Sequence, residues 1–556
     1  MFTAVQPREK YNYILFALLI VGSIVIRLPI LSEPWGADQS EYGYVAKGIL
    51  EGKVPFKDMY VLTGYGVFFT YALFFKLFGM KMMSIHIGHL IVSVVTVALV
   101  FFLTRRLYGN KAAYIAALCY TVFANGLAFS GFGYENKSAW GTYWYLSQRE
   151  VFMAPLMLGA VYLMVLGEKK NGMFLNLVNG ILIGLAAFYK ITAILMLLIF
   201  IVFIAVEELL KKDQSFNFKK VIADTFWLVS GFIIIQLPFL YYFWVHDALK
   251  EVYEALFVHV STYAKLSRGL RIEAFFSGNY SVLSENLMLW LFAAISCLYI
   301  IFKDRNRNNI LIAIWCIGSL VMVWGQGKFF GYHFVILVPP LAVLSGYGML
   351  KFLGGGSDLK GFAANNFGDI KRTFMLVTIL MSIMGFCISN YEYYKRHVEY
   401  YLGKMSRAEY YDVFNEFPTH PYSFPSDYKI VKYLKENAKK GDKLGVLFSS
   451  GDSVIHFLTG MEPATRFVQN WFLLIPNEVL SRDETTINLR REYVEQIINT
   501  APRFILVVHI PLNELVRLPY LKDDPNLRKL NEFINSHYSV ENYPSNRFLY
   551  KRLDSA

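Results

Sequence analysis

The sequence predicts a polytopic α-helical membrane protein with about eleven transmembrane helices, interfacial helices in its first outer loop, and a C-terminal extracytoplasmic α/β domain. Three observations predict this. Of 556 residues, 55% are hydrophobic and only 17% charged, with a mean hydropathy of +0.38, more apolar surface than a water-soluble chain of this length buries. The apolar residues come in runs of about 20, the length of a helix that crosses the hydrocarbon core. After Asn390 the composition changes to charged, Asn- and Pro-bearing sequence.

The elements follow in chain order. Residues 1–10 are polar, and the apolar run behind them is too long for a signal-peptide core and lacks a small-residue cleavage site, so it reads as a retained first span. Candidate spans lie near 12–31, 82–103, 112–130, 148–167, 174–189, 191–209, 221–243, 285–302, 310–327, 333–352 and 373–390. The segment from Thr63 to Gly79 is short, opens on Gly64 and Gly66, and carries Lys76. Charge decides its place. If it does not span and the N-terminus is cytoplasmic, then Arg105, Arg106, Lys111, Lys169, Lys170, Lys211, Lys212, Lys219, Lys220, Lys303, Arg305, Arg307, Lys371 and Arg372 all face the cytoplasm, as the positive-inside rule demands. Counting it as a span would flip them all outward, so it is placed on the outer interface as an amphipathic helix. The expected organisation is a membrane domain at 1–390 and a soluble extracytoplasmic domain at 391–556, in a plasma (inner) membrane.

The net charge of +12 does not point to nucleic acid, because the basic residues sit in short tracts between apolar runs, where they set orientation. Cys119, Cys297, Cys316 and Cys387 all fall inside apolar segments, so neither a disulfide framework nor a thiolate metal site is indicated. In the tail, a helical pattern at Tyr428–Leu434 alternates with strand-like runs at Leu444–Phe448 and Phe504–Val508, the mark of a small α/β domain. It shows no Gly-rich phosphate fingerprint. Residues from Asn390 to about Ser426 read as its linker.

The unusual polar residues gather on the outer side. The loop after the first span holds Asp38, Glu41 and Asp58, and Gln148-Arg149-Glu150 opens the fourth span. Lys190 lies at the outer joint between two spans, and Lys328, Tyr332 and His333 lie at another. A charge in apolar surroundings costs about 2.5–3.5 kcal/mol on insertion scales, so it needs a partner or a wet cavity. Simpler explanations exist for each. Asp38 can cap a helix, Glu150 can pair with Arg149 at a helix end, Lys190 can snorkel, Lys328 can anchor the interface, and His333 can sit there as an ordinary interfacial residue. Arg27 and His86 read as structural. If a helix begins near Asp38, Glu41 shares its face three residues on.

Carboxylates facing cations at a lipid boundary suit a reaction whose substrate carries phosphate in the headgroup zone. Asp38 is the candidate base, with Glu41 or Glu150 as a second carboxylate; Lys190, Lys328, Tyr332 and His333 are candidates for holding the phosphate, and Gln39, Tyr42 and Asp58 for further contacts with substrate. No cofactor is required; a divalent metal at an acid pair stays open. The expected partners are a lipid-phosphate-linked sugar donor, a protein, lipid or glycan acceptor, and the membrane, with no nucleic acid.

The stretch Trp35-Gly36-Ala37-Asp38-Gln39-Ser40-Glu41-Tyr42, continued by Ala46 to Asp58, resembles the first outer loop of GT-C glycosyltransferases. The nearest group is that of protein O-mannosyltransferases and the aminoarabinose transferase of lipid A. The resemblance runs through Glu150, Gly184 to Lys190, and Tyr332-His333-Phe334 with Leu337 to Leu341, and covers roughly residues 10–350. It implies inverting transfer from a polyprenyl-phosphate sugar, with the acid of the first outer loop as base, and eleven to thirteen spans. Where many relatives have paired acids this chain has Asp38-Gln39, and Thr63-Gly64-Tyr65-Gly66 replaces a Lys-Pro-Pro or Gly-Pro-Gly. A transporter or flippase of a lipid-linked saccharide is the alternative, although no duplicated halves are visible. A scaffolding membrane protein is a third, and it would tolerate loss of Asp38.

Overall fold

The computed structural model describes residues 7–124, 147–167, 172–211, 216–262, 276, 286–327, 329–354, 362–412, 414, 423–449, 451–508, 510–543 and 547–553. Its main helices in the first two thirds are α1 (Pro7–Val25), α2 (Ala37–Leu50), α3 (Gly66–Phe78), α4 (Met82–Tyr108), α5 (Asn110–Phe123), α6 (Arg149–Leu166), α7 (Gly172–Tyr189), α8 (Ile194–Leu209) and α9 (Phe218–Val245). They are followed by α10 (Leu287–Phe302), α11 (Arg307–Trp324), α12 (Val338–Gly354) and α13 (Phe362–Tyr401). Helix α13 continues to Tyr401, past Asn390 where the composition changes.

The sequence predicts eleven crossings. Among the described residues, eight helices are long and apolar enough to cross a membrane, or nine when Thr373–Gly385 and Asn390–Tyr401, bent by 46°, count as one span. The difference falls on the runs near 112–130 and 285–302. The described helices there, α5 and α10, have 14 and 16 residues, roughly 21 and 24 Å at 1.5 Å per residue, short of a hydrocarbon core about 30 Å thick. Helix α3 has only 13 residues; it buries Val67, Phe68, Tyr71 and Phe75 and leaves Leu73 and Leu77 exposed.

Contacts gather the chain into two compact units. The first comprises Met1–Ser32, His86–Pro238 and Gly269–Val398, with a core that includes Phe101, Met157, Phe200, Phe292 and Trp315. In lipid the apolar effect does not drive helices together, so close packing of small residues must do so. Gly180 of α7 and Gly231 of α9 show this: a Cβ on Gly180 would lie 2.0 Å from the Leu228 carbonyl oxygen, and one on Gly231 2.0 Å from that of Leu177.

The second unit comprises Glu33–Ile85, Phe239–Arg268 and Glu399–Ala556. It contains α14 (Phe424–Asn437), α15 (Ser453–Thr459), α16 (Glu484–Thr500), α17 (Pro525–His537) and five strands, β1 (Lys443–Leu447), β2 (Glu462–Pro463), β3 (Phe504–Val508), β4 (Tyr538–Tyr543) and β5 (Arg547–Arg552). The sheet order is β2-β1-β3-β5-β4. The first three strands are parallel, and β5 runs antiparallel to β3 and β4, with Leu444 opposite Phe504 and Leu506 opposite Leu549. All five residues of β3 are buried, as expected of a central strand covered on both faces.

The segment between α1 and α4 packs into this unit rather than standing alone. Arg466 pairs with Glu492 through two bonds of 2.6 and 2.9 Å and donates to the carbonyls of Phe56 and Lys57 at 3.1 and 3.3 Å. Tyr60 N–H donates to the Arg466 carbonyl at 2.7 Å, and Lys53 bonds Glu462 at 2.8 Å. Trp35 is fully buried, 4.6 Å from the Phe457 ring. A Cβ on Gly43 would lie 2.2 Å from the Trp35 ring. Gly43→Ala is therefore expected to destabilise this unit by about 1–3 kcal/mol, the cost of overpacking. Thermal unfolding checks it, and an unchanged midpoint would show that Trp35 gives way without cost.

Candidate active site

Helix α2 starts after Gly36, whose backbone is extended, and places Asp38 in its first turn. Peptide dipoles put partial positive charge at that end of the helix. The Ser40 hydroxyl donates to the Gly36 carbonyl at 2.7 Å and tightens the turn. Asp38 is half-buried, whereas Gln39, Glu41 and Tyr42 are buried. One helix thus carries four of the expected residues, with Glu41 one turn after Asp38. The Tyr42 ring packs at 6.0 Å from Phe68 and 5.7 Å from Tyr71, so α3 backs α2. Asp58 lies beyond α2 in a tight loop, exposed, and its carboxylate accepts the Val54 N–H at 2.7 Å. Phe56 in that loop has φ of +69°, and its N–H donates to the Met59 carbonyl at 2.8 Å.

The second cluster belongs to the other unit. Glu150 sits in the first turn of α6 and is 1% exposed. Lys190 has extended backbone between α7 and the short helical turn Ile191–Ala193. Its Nζ bonds Glu150 Oε1 at 2.6 Å. Lys190 therefore pairs with a buried carboxylate rather than snorkelling. His333 arrives from the turn Gly331–Leu337, with Nε2 4.0 Å from the same Glu150 oxygen. Tyr332 and Phe330 flank the imidazole at 4.6 and 5.4 Å between ring centres, and Phe152 stacks on Tyr189 at 6.0 Å. Two titratable side chains, Lys190 and His333, from two further elements thus meet at Glu150.

Of the expected residues, Glu150, Lys190, Tyr332 and His333 come together in this cluster, and Asp38, Gln39, Glu41 and Tyr42 share α2. Lys328 lies outside the described residues. Arg27 is buried and donates to the Ser23 carbonyl and hydroxyl at 3.1 and 3.0 Å, as its structural reading expects. Sequence reasoning missed Arg466 and His456, whose partners are remote in the chain or unremarkable locally, and no local pattern marks either. Among the described residues no three His, Cys, Asp or Glu side chains converge to hold a metal ion.

Comparison with known proteins places the fold. The dolichyl-phosphate-mannose-protein mannosyltransferase family matches residues 64–242. The oligosaccharyltransferase of Archaeoglobus fulgidus in its apo form is 13% identical with a TM-score of 0.56, over 98% of this chain and 74% of that one. The same organism's AglB in complex with an inhibitory peptide and a dolichol-phosphate is 11% identical with a TM-score of 0.53, over 99% and 75%. ArnT from Cupriavidus metallidurans bound to undecaprenyl phosphate is 14% identical with a TM-score of 0.53, over 98% of both chains. No curated protein matches the chain by sequence.

Proposed function

We propose that this chain, which carries the GT-C fold of those membrane transferases, moves a sugar from a polyprenyl-phosphate donor to an acceptor hydroxyl with inversion, on the extracytoplasmic side of the plasma membrane. The observation that carries the reading is the convergence of Lys190 and His333 on buried Glu150. Two structures of the same fold hold a polyprenyl phosphate, dolichol-phosphate in one and undecaprenyl phosphate in the other. A lysine held at a fixed place in low dielectric is a strong site for a phosphate that develops charge as it leaves.

In the proposed step, the acceptor oxygen attacks the anomeric carbon as Asp38 takes its proton. The bond from that carbon to the phosphate oxygen breaks, and polyprenyl phosphate leaves with the electron pair. Attack opposite the leaving group inverts the anomeric centre. Lys190, Lys328, Tyr332 and His333 hold the phosphate, while Glu150 keeps the Lys190 ammonium aimed. Glu41 is the second carboxylate of α2, and Gln39, Tyr42 and Asp58 contact the substrates.

The test uses the purified full chain with radiolabelled polyprenyl-phosphate hexoses and pentoses and a panel of protein, lipid and glycan acceptors. A glycosylated product with inverted anomeric configuration and stoichiometric free polyprenyl phosphate is expected. Donor that crosses the bilayer unchanged, with no product from any pair, would replace the transferase by a flippase.

A further inference from the structure

A cavity lies within the unit that combines the segment after α1 and the C-terminal domain. Its volume is about 340 Å³, within the range of roughly 300–1,000 Å³ typical of small-ligand sites. Tyr44 of α2 and His456 of α15 line it, each only 6% exposed, with ring centres 5.6 Å apart. His456 Nδ1 faces the Met461 carbonyl at 3.1 Å and so carries the proton. That leaves Nε2 as an acceptor with no partner among the described residues. Burial pulls the His456 imidazole down to about 4, so it is neutral at physiological pH. The Tyr44 hydroxyl likewise has no hydrogen-bond partner among the described residues; burial, with Glu462 and Glu51 nearby, pushes it up and it keeps its proton. Ser449 and the Asp58 carboxylate add acceptors, and Met59, Val446 and Phe467 supply apolar wall.

The charges decide what fits. The lining holds as many carboxylates, Asp58 and Glu462, as cations, Lys53 and Arg466, with Lys53 on Glu462 at 2.8 Å and Arg466 on Glu492 at 2.6 Å, so the cavity has no excess positive charge to draw a phosphate. What remains is a donor, a neutral acceptor, a serine hydroxyl and a carboxylate beside an apolar face. Hydroxyls that must each donate and accept, on a ring with one apolar face, match that set.

We infer that this cavity is a binding site for a neutral sugar ring, separate from any site for the lipid phosphate. Its existence does not depend on the transferase reading; only its use as an acceptor-side subsite rests on that reading.

Saturation-transfer NMR on the full chain, in a detergent without a sugar headgroup, tests it with the methyl glycosides of glucose, mannose and galactose as probes. At least one probe is expected to receive saturation at its ring protons. Each of Tyr44→Phe and His456→Gln should weaken its binding by about three- to tenfold, the worth of one hydrogen bond, and inorganic phosphate should not displace it. Asp38→Asn should leave the signal unchanged even if it abolishes transfer, which separates this site from the transfer chemistry. No saturation from any probe, displacement by phosphate, or an undiminished signal in Tyr44→Phe, which keeps the ring and its packing, would overturn the inference.

Discussion

Asp38→Asn is expected to lower transfer from a polyprenyl-phosphate sugar by roughly 10²–10⁴-fold, the usual worth of a general base. Asparagine matches aspartate in size and can still accept a hydrogen bond, but it cannot take a proton from the acceptor. The fold should barely notice. Asp38 is half-buried in the first turn of α2, and losing its favourable term with the helix dipole costs only about 0.3–1 kcal/mol. The variant should therefore keep its thermal midpoint and donor affinity while the chemical step fails. Asp38→Glu, which restores a carboxylate one methylene further out, should recover part of the rate. Normal turnover by Asp38→Asn would remove this residue as base and shift attention to Glu41.

Lys190→Ala should produce two separable losses. The first is in stability: Glu150 is 1% exposed and its lysine partner 13%, so deleting the cation leaves a buried carboxylate uncompensated at a cost of about 3–5 kcal/mol. The second is weaker grip on the donor phosphate. Combining Lys190→Ala with Glu150→Gln distinguishes them, because the amide carries no charge that needs a partner. Thermal unfolding of the double variant should return toward the wild-type midpoint. Transfer should remain impaired, with a raised KM for the donor. If the double variant transfers sugar as well as wild type, Lys190 serves only to neutralise Glu150, and the phosphate is held elsewhere.

Candidate residues stood out in the sequence where one broke a local rule. Lys190 stood out because it interrupts an apolar run, and Asp38 because it follows a span directly; both observations need only the neighbouring sequence. The strands at 504–508 and near 444–447 were equally legible from their apolar, β-branched composition. The short helices α5 and α10 were harder, since hydropathy averages over a window and does not report where the hydrogen-bonded turns stop.

By itself the sequence determined the membrane class, the order of apolar helices, the β-containing tail and the list of exceptional charges, because these depend on composition and on spacing within a few turns. Only the tertiary structure decided that Lys190 and His333 share Glu150, and that the segment after α1 joins the C-terminal domain through Arg466 to form a walled cavity with Tyr44 and His456. Arg466 and Phe56 are 410 positions apart. Contacts at that distance are set by how whole elements pack, and no periodicity within either segment encodes the partner.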